Sequence, residues 1–137
     1  MADCIFCKII DGSIPSKKVA ESTNFLAFLD INPTAAGHTL IVPKKHSTNL
    51  FDLPEFLGGE FLEFSQRVAA AVVAATKADG FHLNLNNGPA AGQVVFHTHF
   101  HIIPRKLHDG TRLFETHVPM TPEQLEVVRQ EIIKCIR

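Results

Sequence analysis

Three imidazoles recur at alternate positions in one stretch: His97, His99 and His101 lie within GQVVFHTHFHIIPR, residues 92–105. An imidazole with a pKa of about 6.5 is largely uncharged near neutrality, so it can attack an electrophile or carry a proton. In an extended chain successive side chains point to opposite sides. The three rings then share one face at ~6.6 Å spacing, while Phe96, Thr98, Phe100 and Ile102 share the other. One histidine here would read as a satisfied core or surface residue. Three in register can converge on a small electrophile such as phosphorus, or on a metal.

Two further groups carry chemistry. Cys4-x-x-Cys7 reads equally as half a zinc site, a redox pair or two small buried residues. Zinc would require two more ligands. Asp30, beside the turn-forming Asn32-Pro33, can accept from two vicinal hydroxyls or simply cap the loop.

These residues need a scaffold, and the pattern supplies one. The stretch 92–105 predicts a strand. Lys17 to Glu21 and Phe25 to Asp30 predict a hairpin around Ser22-Thr23-Asn24, and His38 to Pro43 predicts a strand with His38, Leu40 and Val42 on one face. Phe81 to Asn86 alternates, with Phe81, Leu83 and Leu85 inward. Cys4 to Ile10 predicts a short helix or turn that Asp11-Gly12 stops. A helical region opening at Asp52-Leu53-Pro54 is interrupted at Gly58-Gly59, then carries Phe61, Phe64, Val68 and Val72 at helical spacing to a stop at Gly80. Residues 106–119 read as loop. Thr121-Pro122-Glu123-Gln124 has the form of a capping box opening a last helix, with Leu125, Val128, Ile132 and Ile136 inward. The sum is α+β: a mostly antiparallel sheet of about five strands, one long covering helix and a C-terminal helix.

At 137 residues and 45% hydrophobic content the chain suits one domain, residues 1–137, with a single core. A net charge of −1 with both signs scattered gives no footprint for a nucleic acid polymer or an anionic membrane. The apolar run 69–75 is far too short for a bilayer, and the N-terminus has no basic lead into an apolar stretch. The expectation is a cytoplasmic protein, and three cysteines fit a reducing compartment better than a disulfide framework.

HTHFHII, from His97 to Ile103, resembles the signature of the histidine-triad (HIT) family of nucleotide hydrolases and transferases. The likeness runs to about Arg105, with a signature core over 4–105, and weakens over the loop and helix at 106–137. It implies the HIT fold and an enzyme acting on AMP-X substrates, with His99 forming a covalent nucleotidyl-histidine, His101 contacting phosphoryl oxygens and leaving group, and His38 orienting the triad. Ile5, Phe6, Ile9, Phe28, Ile31 and Leu40 match apolar positions around a purine; Asp30 matches an acid that binds ribose hydroxyls. Asn86, with Asn87, and the backbone of Gly92, Gln93 and Val94 match phosphate contacts. The same likeness implies that His46 and His97 complete a structural zinc site with Cys4 and Cys7, and that the protein forms a homodimer. The N-terminal CIFCKIIDGSIP looks like the nucleoside phosphoramidase branch; GPAAGQVVFHTHFHIIPR looks more like the dinucleoside polyphosphate hydrolase branch, and Val94 stands where the phosphoramidase pattern has Ser. A zinc-stabilised purine-nucleotide sensor or adaptor with little turnover is the other class open. His82, His108 and His117 are expected to be incidental.

Overall fold

Two central strands hold the fold together because both of their faces are covered. The computed structural model describes residues 3–137. In it β1 (Lys18–Glu21), β2 (Phe25–Leu29), β3 (Thr39–Pro43), β4 (Gly80–Leu85) and β5 (Phe100–Arg105) form one sheet, ordered β1-β2-β3-β5-β4, with every pairing antiparallel. The helices are α1 (Ile5–Ile10), α2 (Gly58–Thr76) and α3 (Pro122–Cys135). This is the α+β architecture that the element pattern predicts.

The period-two alternation sorts β2 and β3 between two cores. Phe25, Ala27, Leu29 and Ile41 meet Phe64, Val68 and Val72 of α2 and Leu125 and Ile132 of α3. On the other face Leu26, Phe28, Leu40 and Val42 meet Phe6 of α1. The helix layer therefore supports the sheet from behind, and the opposite face is left for a short helix and a cleft.

Four expectations need correction. Gly58 and Gly59 start α2 rather than interrupting it; first-turn N–H groups have no intrahelical partner in any case, so glycine costs less there. Gly80 does not end the helix either. Lys77 does, in the left-handed region at φ 55°, with Ala78 N–H donating to the Val73 carbonyl at 3.1 Å, and Gly80 opens β4. Phe81 and Leu83 face the helix side but stay 46% and 48% exposed, because β4 is an edge strand that α2 does not roof. Finally, the strand containing the histidines begins at Phe100, where β3 (Ile41) and β4 (Leu85) first flank it. Before Phe100 the chain is irregular. Thr98 N–H donates to the Ser47 carbonyl at 2.8 Å and the His97 ring takes the Pro43 carbonyl, so side-chain and loop bonds replace the ladder there. Alternation of facing persists: Phe6 meets His97 and His99, while Thr98 bonds Ser47.

One glycine fixes a strand entry. Gly37 has φ +96°, and a Cβ there would sit 2.6 Å from Thr76 Cγ2. Only glycine lets the chain turn that closely past the end of α2 and deliver His38 to the sheet.

Candidate active site and metal-ligand cluster

The proton positions follow from fixed backbone partners. Thr34 N–H donates to His38 Nδ1 at 3.0 Å, so a neutral His38 carries its proton on Nε2. That Nε2–H donates to His101 Nδ1 at 2.9 Å, with the Asp30 carboxylate 3.6 Å away, and the His101 proton is left on Nε2. His99 donates Nδ1–H to the carbonyl of His97 at 2.7 Å, which leaves the Nε2 lone pair bare. The rings of His99 and His101 lie 5.1 Å apart and nearly edge to face, and Phe6 packs against His99 at 5.0 Å. Each imidazole of the relay is thereby held in one tautomer and one orientation.

Burial keeps the group uncharged. It lowers the pKa of His38, partly opposed by the Asp30 carboxylate; it lowers that of His101, with His38 and His99 adding to the effect; and it lowers that of His99, opposed by the bond to His97. The sign for stability follows. An unfolded imidazole titrates near 6.5, above the folded values, so below that pH the unfolded chain binds more protons and stability is lost as pH falls. The loss has a ceiling of about 1.4 kcal/mol per pH unit for each imidazole held neutral. Tm, read calorimetrically, is expected to fall from pH 7 to pH 5, and His38→Gln should flatten that slope; a flat wild-type profile would contradict a neutral buried relay.

His99 opens onto a cleft of about 470 Å³. Its wall includes Ile5, Phe6, Ile9, Phe28, Asp30, Ile31, Leu40 and Val94 together with His38, so the candidate pocket residues converge except for Gly92, Gln93, Asn86, Asn87 and His101, which do not line it. Ile31 at 76% and Val94 at 82% exposure place bare apolar side chains on its rim, where a planar base would cover them. Asp30 caps the loop, its Oδ1 accepting from Asn32 N–H at 2.8 Å, and it also lines the cleft.

Several of the positions expected to meet phosphate are committed to other bonds. Gly92 and Gln93 N–H groups already donate within their own loop, to Pro89 and Gly88 carbonyls, and the Gln93 side chain is buried on Gly88 N–H and the Thr48 and Val95 carbonyls. Asn87 is spent on Leu50 N–H and the Leu85 carbonyl. Val94 N–H takes part in no hydrogen bond among the described residues, and Asn86 accepts from Asn84 while its own amide nitrogen lies beside Gly92. At these loop positions the donors without a partner among the described residues are Val94 N–H and the Asn86 amide nitrogen.

Cys4, Cys7, His46 and His97 come together from three separate stretches, with ligand atoms all within 4.8 Å. Cys4 Sγ to His97 Nδ1 and Cys7 Sγ to His46 Nδ1 are each 3.4 Å, Cys7 Sγ to His97 Nδ1 is 3.6 Å, and the two Nδ1 atoms are 3.1 Å apart. A tetrahedral zinc ion sets edges of about 3.6 Å between nitrogen and sulfur and about 3.3 Å between nitrogens, so the donor set fits. His97 Nε2–H donates to the Pro43 carbonyl at 2.8 Å, which leaves Nδ1 unprotonated toward the cluster.

Phe114 and His117, from the loop after β5, also line the cleft. His117 is thus not incidental in position. Irregular sequence with no periodicity gave no signal for either residue.

An antiparallel sheet with alternate histidines at 97, 99 and 101, the middle one opening onto an apolar cleft and the third bonded to His38, defines a histidine-triad protein. The chain belongs to the HIT family, whose domain model matches residues 11–108. It is 41% identical over 135 residues to an adenylylsulfatase of Arabidopsis thaliana, covering 98% of this chain and 68% of that protein. It is 48% identical over 105 residues to an adenosine 5'-monophosphoramidase of Saccharomyces cerevisiae, covering 77% and 64%. A crystal structure of a Zn-bound histidine triad family protein from Mycobacterium smegmatis superposes with a TM-score of 0.83 at 35% identity, covering 97% of this chain and 95% of that one. No helix among the described residues is long and apolar enough to cross a membrane.

Proposed function

We propose that this protein hydrolyses AMP-X compounds, with X an amine, sulfate, a phosphate chain or a second nucleotide, through a covalent nucleotidyl-His99. The observation that carries the reading is the 2.7 Å bond from His99 Nδ1–H to the His97 carbonyl, which leaves an unprotonated Nε2 on a nucleoside-sized apolar cleft. Nε2 bonds to the α-phosphorus as the P–X bond breaks and its electron pair leaves on X, which takes the proton from His101 Nε2. Water then attacks phosphorus, a proton returns to His101, and the P–N bond breaks with its pair on His99. His38 holds His101 in the required tautomer, Asp30 accepts from ribose hydroxyls, and Val94 N–H and Asn86 meet the phosphate.

The named activities of the two relatives support this class of substrate. The test is kcat/KM across AMP-X compounds differing only in X, with rapid quench to trap labelled nucleotide on protein. Binding of AMP without turnover or trapped label would mean a sensor or adaptor instead.

The Cys4-Cys7-His46-His97 set is read as a structural zinc site. The open edge of β4, with Phe81, Leu83 and Leu62 exposed beside it, is read as a homodimer surface. Sedimentation equilibrium at the monomer mass throughout would remove the dimer.

A further inference from the structure

Residues 106–119 form a strap that is built, not merely connected. Arg105 Nε and Nη2 hold the Asp109 carboxylate at 2.8 and 2.7 Å, and Nη2 also reaches the Thr111 carbonyl at 3.1 Å. Asp79 accepts from Leu107 N–H at 2.8 Å. Farther along, Thr116 N–H donates to the Arg112 carbonyl at 2.9 Å, and Val118 N–H donates to the Pro33 carbonyl at 2.8 Å. His117 Nδ1 lies 3.3 Å from the Asn32 carbonyl. The strap is pinned at its start to Arg105 and Asp79, and at its end to the loop that carries Asp30 and Thr34.

What this bracing presents is Phe114. Its φ of +61° lies in the left-handed region, a cost for a bulky residue that local bonds must offset. Its ring stands edge-on to His101 at 4.9 Å and forms part of the cleft wall alongside His117. A strained aromatic held over the ring that faces the leaving group limits the room beside it.

We propose that Phe114 is a leaving-group size filter: it favours compact X groups over a second nucleotide. The inference rests on the assignment of His101 to the leaving-group side. It predicts that removing the ring raises affinity for a large X relative to AMP, and the ratio is the readout because Phe114 also lines the cleft that would hold the nucleoside.

The variant is Phe114→Gly, which deletes the ring and suits the positive φ, so backbone strain falls rather than rises. Equilibrium binding is measured with AMP and with a methylene-bridged, non-hydrolysable diadenosine tetraphosphate. The dinucleotide should bind about fivefold or more tightly relative to AMP, the gain expected when a steric clash is relieved, and Phe114→Leu should restore most of the discrimination. An unchanged ratio, or equal weakening of both probes, overturns the filter; equal weakening would make the strap a support of the pocket. Because binding needs no turnover, a wild type that binds AMP but hydrolyses nothing would sink the hydrolase reading while the binding ratio still decides the filter.

Discussion

Replacing His99 with Asn is expected to abolish trapped nucleotide on the protein and to lower kcat by about 10⁴-fold or more, the usual consequence of deleting a covalent nucleophile. Asn can still donate from its amide toward the His97 carbonyl that now receives His99 Nδ1–H, so the local hydrogen bond has a replacement. What it lacks is the Nε2 lone pair on the cleft. The cleft wall otherwise consists of Phe6, Phe28, Leu40 and neighbours that the substitution does not touch, so AMP affinity should stay within a few fold. A residual label on the Asn variant, with loss of label on His101→Asn, would move the nucleophile to His101 and overturn the tautomer assignment as well.

The tautomers are also where sequence and structure part. Alternation at 97, 99 and 101 was enough to place three rings on one side, and that survives although regular strand begins only at Phe100. Period two is a local property of extended chain, so it is legible without knowing the ladder. Which nitrogen bears each proton depends on Thr34 N–H, the His97 carbonyl and Pro43, partners fixed only by long-range pairing. The Cys/His cluster shows the same division: Cys4 and Cys7 announce themselves by spacing, but His46 and His97 are paired with them by resemblance, since no local rule joins residues 39 and 90 positions away from Cys7. The loop expected to meet phosphate differs in the other direction. Its glycines look like open donors, yet Gly92 and Gln93 close a tight turn with their own N–H groups, a use that composition does not reveal. Phe114 and His117 sit in irregular sequence, where neither hydrophobic period nor turn chemistry marks a side chain as facing a cleft.

Removing zinc, by chelation or by Cys7→Ala, is expected to cost about 3–4 kcal/mol, the mass-action contribution of a ligand present at several hundred to a thousand times its Kd. For a domain of this length that corresponds to a fall of roughly 10–15 °C in Tm. The cluster ties α1 to the segment ahead of β5, two parts of the chain that share few other bonds, so the loss should concentrate there. Hydrogen exchange is expected to rise first in α1 and residues 97–99 while β2 and α2 stay protected. Catalysis should suffer through geometry: His97 contributes its ring to the cluster and its carbonyl to His99, so slack in one is slack in the other. That coupling predicts a drop in kcat larger than any change in KM, and a slower but still detectable trapped label, because the His99 lone pair itself is intact. Cys135, outside the cluster, serves as the control, and Cys135→Ala should leave metal content and kcat unchanged. Protein purified without added zinc that holds less than about a tenth of an equivalent, and whose Tm ignores both chelator and Cys7→Ala, would reduce the four residues to a packed cluster with no metal role.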